Sequence, residues 1–147
     1  MIGARVSAGP VSLVPPPDWT SGPPLPGTAA VLLAPAPADD GFRPNLVVVS
    51  EPSDASAAKL STVTLATHQV AMADYHLIDV DRWERLTPDG RRFEYLHRLG
   101  ATSLHAVQYT AALPGSSVHV TFTCAEHQLP DWDAAFLACA DTIEVAP

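Results

Sequence analysis

Six histidines (His68, His76, His97, His105, His119 and His127) and two cysteines (Cys124 and Cys139) are the side chains of this chain best suited to hold a metal or carry a proton near neutral pH. Their spacing argues against a metal centre. No two histidines stand as His-x-His or His-x3-His, and the cysteines form no Cys-x2-Cys pair. His105 and Cys124 would meet if the final hairpin turns at Pro114-Gly115, but one such contact is too little for zinc, and a thiol nucleophile needs an acid behind its base. There is no Gly-x-Ser-x-Gly, and Gly115-Ser116-Ser117 reads as a turn. Gly22, Gly27, Gly41, Gly90, Gly100 and Gly115 are scattered singly, so no loop is built to cradle phosphate. The carboxylate pairs Asp79/Asp81 and Asp131/Asp133 read as a solvated strand face and a helix entrance. The expectation is no catalytic residue, no metal and no cofactor.

Composition narrows the partners. At 147 residues with 47% hydrophobic and 16% charged residues, the chain can bury a core, and the expectation is an N-terminal tail over residues 1–10 and one domain over 11–147. A net charge of -8 disfavours nucleic acid and anionic membranes. Arg82, Arg85, Arg91, Arg92 and Arg98 nevertheless fall within seventeen positions, interleaved with Asp79, Asp81, Glu84, Asp89 and Glu94 as cross-strand partners. No run is long and apolar enough to insert in a membrane, and Met1-Ile2-Gly3-Ala4-Arg5 opens no signal peptide. The expected location is cytoplasmic, or the cell envelope if a signal or lipid anchor has been removed. In a reducing compartment the cysteines read as small core residues, and in an exported protein as a bridge.

The elements that must position these side chains follow from punctuation and periodicity. Eleven of the fifteen prolines lie in the first 52 residues, which excludes long helices there. That third reads as strands Val11–Val14, Ala29–Leu33 and Leu46–Ser50, with Gly22–Gly27 a stiff connector and Asp39-Asp40-Gly41 a turn. A helix follows from Ala55 to Met72, capped by Ser53 or Asp54, with Leu60, Val63, Thr67 and Val70 as its apolar stripe. Four antiparallel strands come next, Tyr75–Leu86, Arg91–Leu99, Ser103–Leu113 and Val118–Cys124. Val107, Tyr109, Ala111 and Leu113 share one face with Val118, Val120, Phe122 and Cys124. Gln108, Thr110, His119, Thr121 and Thr123 share the other, polar but nearly uncharged and so only partly solvated. A second helix from Asp131 to Ala140 starts at Pro130 and docks through Trp132, Phe136, Cys139 and Ala140, and Ile143 leads into a short last strand. The order is β-β-β-α-β-β-β-β-α, an α+β fold in which an antiparallel sheet of six to seven strands packs with two main helices.

Certain of these segments also resemble a known family. Pro16-Pro17-Asp18-Trp19, Ala30–Leu33, Phe42-Arg43-Pro44-Asn45-Leu46-Val47-Val48, the helix, Gly90 to Tyr95, Gln108-Tyr109, Val118–Thr123, and Phe136 running to Asp141-Thr142-Ile143 are similar to the PsbP/Mog-like superfamily, in its DcrB-like and LpqN-like bacterial branch. The resemblance implies a non-enzymatic accessory protein. The expected function is an adaptor or chaperone that binds a polypeptide partner, with a secreted protein as one candidate, and can form a homodimer. Two alternatives stand beside it: a binder of a lipid or small apolar ligand between sheet and helices, and an envelope-associated domain without its anchor. Trp83, read as exposed, and the flanking Arg82, Arg85, Arg91 and Arg92 are the expected partner-binding residues.

Overall fold

The computed structural model describes residues 3–23, 25–39 and 41–147. Met1 and Ile2, one residue of the Gly22–Gly27 connector and one of the Asp39-Asp40-Gly41 turn lie outside the described residues. Along the chain come Val6–Ala8 (β1), Val11–Leu13 (β2), Thr20–Ser21 (β3), Ala30–Leu33 (β4), Asn45–Pro52 (β5), Ala57–Ala71 (α1), Ala73–Arg82 (β6), Arg91–Leu99 (β7), Thr102–Leu113 (β8), Ser116–Ala125 (β9), Leu129–Ala140 (α2) and Glu144–Val145 (β10). A 3-10 turn, Glu126–Gln128, leads into α2. This is the α+β architecture and element order expected, with β1 and β3 added. β1 falls in the segment read as a tail; it pairs with β2 and buries Ala8.

Seven strands form one antiparallel sheet in the order β3-β4-β5-β9-β8-β7-β6, and β1-β2-β10 form a second of three strands. Two-residue links, Gly100-Ala101 and Pro114-Gly115, join β7 to β8 and β8 to β9. At the second link a proline precedes Gly115 with φ 75°, the backbone chemistry of a type II turn. β6 ends at Arg82 rather than at Leu86, because Trp83 to Gly90 closes as a loop. Trp83 N–H donates to the Gly90 carbonyl at 2.9 Å. A Cβ on Gly90 would sit 2.2 Å from the Trp83 carbonyl oxygen, so only glycine permits this closure.

The large sheet is covered on both faces. Leu46, Val48, Val107, Tyr109, Val118, Val120 and Phe122 share one face and join the main core with Phe136, Cys139, Ala140 and Ile143. Trp19 packs edge-on against Trp132 and Phe136 at ring separations of 5.4 and 6.0 Å, and Phe136 lies 5.2 Å from Phe122. This contact set is what holds α2, as its apolar stripe requires. On the opposite face Phe93, Tyr95 and Ala106 form a second core with Leu65 and Met72 of the α1 segment.

α1 corrects two expectations. Its cap is Ser56, whose Oγ accepts the Lys59 N–H at 3.1 Å, whereas Ser53 Oγ accepts from Ala55 in the preceding loop. Its buried stripe is Leu60, Thr64 and His68, while Val63 is half exposed and Val70 is 90% exposed. The stripe at i, i+4, i+8 is partly polar because the strand face beneath it is polar.

Candidate functional site

The polar face of β8 and β9 and the stripe of α1 meet around one carboxamide. Strand alternation aims Gln108 of β8 toward α1, and its register partner Thr121 and diagonal neighbour His119 come up beside it from β9. Gln108 Oε1 accepts from His68 Nε2 at 2.8 Å and from the Tyr95 hydroxyl at 3.3 Å. Its Nε2 donates to Thr110 Oγ1 at 3.0 Å and to His119 Nδ1 at 3.1 Å. Both acceptor positions and both donor hydrogens of the amide are therefore used. Tyr75 and Thr110 complete the cluster through His68 Nδ1 at 3.2 Å and His119 Nδ1 at 3.0 Å.

This geometry assigns the imidazole tautomers. His68 donates through Nε2, and His119 accepts at Nδ1, so His119 carries its proton on Nε2. Burial holds both rings below their ordinary pKa; for His68 the Gln108 bond opposes that, and for His119 nearby Glu51 opposes it while His68 reinforces it. Burial pushes the Tyr95 hydroxyl up. The cluster is thus neutral and polar.

A cavity of about 340 Å³ opens beside it, between α1 and the sheet. Leu60, Val63, Met72 and Val49 give it apolar walls, Gln108 and His119 form its polar floor, and Glu51 stands at one side. The histidine spacing carries no hint of this site, since His68 and His119 are 51 positions apart. The one available signal was the run of uncharged polar residues on a single strand face.

The other sequence candidates lie elsewhere. His105 and Cys124 are directly opposite across β8 and β9, and Glu94 Oε2 stands 2.7 Å from His105 Nε2. An acid, an imidazole and a thiol thus come together, yet His105 Nδ1 is buried without a partner, so no bond joins it to the sulfur. Cys124 is fully buried and its thiol is pushed up to about 11 by burial and Asp133; Cys139 rises to about 12 by burial. Neither forms a ready thiolate nucleophile. Both are free and unbridged. Among the described residues no three His, Cys, Asp or Glu side chains converge to hold a metal, and no helix is long and apolar enough to cross a membrane.

Trp83 is 9% exposed and packs edge-on to Tyr109 at 5.1 Å, so it is a core residue and not the exposed anchor expected. The register that would have kept it solvated fails because β6 stops one residue earlier. Arg85 donates to the Ile143 carbonyl, and Arg91 to the carbonyls of Asp89 and Gly90. Arg82 pairs with Glu84 at 3.1 Å, and Arg92 with Glu94 at 3.4 Å and the Tyr109 hydroxyl. Exposed apolar side chains lie instead along the terminal strand of the sheet. Leu77, Ile78 and Val80 of β6 are 42, 50 and 39% exposed. Leu77 and Val80 stand opposite Tyr95 and Phe93, so they extend the α1-side face to the sheet edge, and a register shift between Leu77 and Asp79 leaves Ile78 in a bulge.

No family model matches the chain, and no curated protein matches it in sequence. Solved structures do. LpqN of Mycobacterium tuberculosis, described as involved in cell envelope biogenesis, is 12% identical with a TM-score of 0.74, over 99% of this chain and 86% of that one. Cyanobacterial PsbP from Synechocystis is 18% identical with a TM-score of 0.68, over 97% of this chain and 92% of that one. The Ran-binding protein Mog1p of Saccharomyces cerevisiae is 10% identical with a TM-score of 0.66, over 99% and 96%.

Proposed function

We propose that this chain, which has the PsbP/Mog-like fold, is a non-catalytic accessory protein that docks an extended polypeptide segment along β6. The observation that carries this reading is the edge itself. β6 is a ten-residue strand at the end of the sheet, exposed at every position but Tyr75, and among the described residues nothing pairs with its outer side. Its unpaired backbone groups offer a partner's strand a ladder, and Leu77, Ile78 and Val80 offer apolar contacts. Charge sets direction along it: Asp79 and Asp81 suit a basic partner residue, and Arg82 at the far end, opposite Arg91 in the register, suits an acidic one. The bulge and the two aspartates restrict indiscriminate pairing. That Mog1p is a Ran-binding protein agrees with a protein partner for this scaffold.

Selection of ten-residue peptides from a displayed library tests it. Binders are expected to slow amide exchange in β6 and to lose at least tenfold in affinity against Val80→Lys, which leaves the exposed edge folded. Binders that leave β6 exchange unchanged, or that bind Val80→Lys equally, refute the reading.

A further inference from the structure

The cavity under α1 is a second site, independent of the β6 edge. We propose that it binds a small neutral molecule with an apolar body and one hydrogen-bond acceptor, received by the Nε2–H of His119.

Size and lining agree with such a ligand. The volume of about 340 Å³ lies at the small end of pockets that hold organic ligands, roughly 300–1,000 Å³. Most of the wall surface is apolar, with Val49, Leu60, Val63 and Met72 in the lining, and polar groups converge on it from both α1 and the sheet, His68 from the helix and Gln108 and His119 from the strands. Those polar groups are held in place. Gln108 and His68 are 7 and 5% exposed, and every hydrogen-bonding position of the Gln108 carboxamide is occupied within the protein. The amide therefore does not serve a ligand directly. It orients His119 by donating to Nδ1 and so places the ring proton on Nε2, for which no acceptor exists among the described residues. A half-buried ring that presents one unused donor beside an apolar cavity is complementary to a carbonyl, amide or ether oxygen.

Charge selects among such ligands. Glu51 lines the same cavity, and no lysine or arginine does. A carboxylate or phosphate would lose its hydration and meet a like charge, whereas a neutral acceptor meets neither obstacle. Cations find Glu51 but waste the Nε2–H donor.

Two probes of equal size separate these cases: N-benzylacetamide, which is neutral, and 3-phenylpropanoate, which is anionic. Nitrogen-15 imidazole spectra of the whole protein are recorded during titration of each to 20 mM. The expected result is that His119 is protonated on Nε2 in the free protein, that N-benzylacetamide moves its Nε2 resonance and the Met72 methyl, and that 3-phenylpropanoate binds at least tenfold more weakly. Glu51→Gln is expected to narrow that difference. Val63→Trp, a change at a half-exposed rim position that fills the cavity, is expected to weaken N-benzylacetamide at least tenfold with the fold kept. The proposal is overturned if the free ring is protonated on Nδ1, if N-benzylacetamide leaves His119 unmoved, if the anion binds as well, or if folded Val63→Trp binds undiminished.

Discussion

Replacing Gln108 by Leu tests the central claim that one carboxamide organises the space between α1 and the sheet. The two side chains have similar volumes, so the change adds little cavity or overpacking. It removes four hydrogen bonds, to His68, Tyr95, Thr110 and His119. Thr110 and His119 still reach each other at 3.0 Å, so those two lose little. The His68 Nε2–H and the Tyr95 hydroxyl keep no other acceptor, and each buried orphan costs about 1–3 kcal/mol. Against that gross loss of about 2–6 kcal/mol, an apolar side chain in the same space returns about 1–2 kcal/mol. The net expectation is about 2–3 kcal/mol of lost stability. Urea unfolding followed by tryptophan fluorescence measures it, because Trp19, Trp83 and Trp132 all lie in or against the main core. The midpoint should fall at unchanged slope. His68→Leu made in the Gln108→Leu background should be less costly than alone, with a coupling of about 1–2 kcal/mol. A single-variant loss below about 0.5 kcal/mol, or strict additivity of the pair, refutes the network as drawn.

Phe136→Ala leaves a hole between Trp132, Trp19 and Phe122, and should cost about 3–5 kcal/mol by the same melt; a loss below about 1 kcal/mol would detach α2 from the core described. Acid should also weaken the fold. Burial holds His68, His97 and His119 below the ordinary imidazole pKa, so the unfolded rings charge below about pH 6.5 while the folded ones stay neutral. The unfolded state then binds more protons, and stability present above that pH is lost as it falls, by up to about 1.4 kcal/mol per pH unit for each ring. Urea midpoints at pH 7.5 and 5.0 check the sign, and His68→Gln should flatten the slope; a midpoint unchanged or higher at pH 5.0 contradicts it.

Local chemistry made much of the architecture legible. Paired turn residues at Pro114-Gly115 and the alternation of Val118, Val120, Phe122 and Cys124 specified a hairpin and its core face, because a two-residue link and a period of two leave one register. Pro130 and the Trp132, Phe136, Cys139 stripe likewise specified α2, which begins at Leu129. The helix face of α1 was less legible. Hydropathy ranks Val63 and Val70 above Thr64 and His68, and only the polar strand face beneath reverses that order. Trp83 misled for a related reason, since a loop that turns back at Gly90 moves a residue of apparent strand parity into the core.

What the amino-acid order determined by itself was therefore the main elements, their sequence along the chain and the faces that β8 and β9 bury, all of which depend on neighbours within a few residues; the short β1 and β3 escaped it. What only the tertiary structure decided was which distant polar groups meet. His68 and His119 converge on Gln108 because a helix from one stretch lies across strands from another, and no short-range spacing encodes that crossing. The unpaired edge of β6 was settled at the same level, since a strand becomes an edge only when every other strand has found its place.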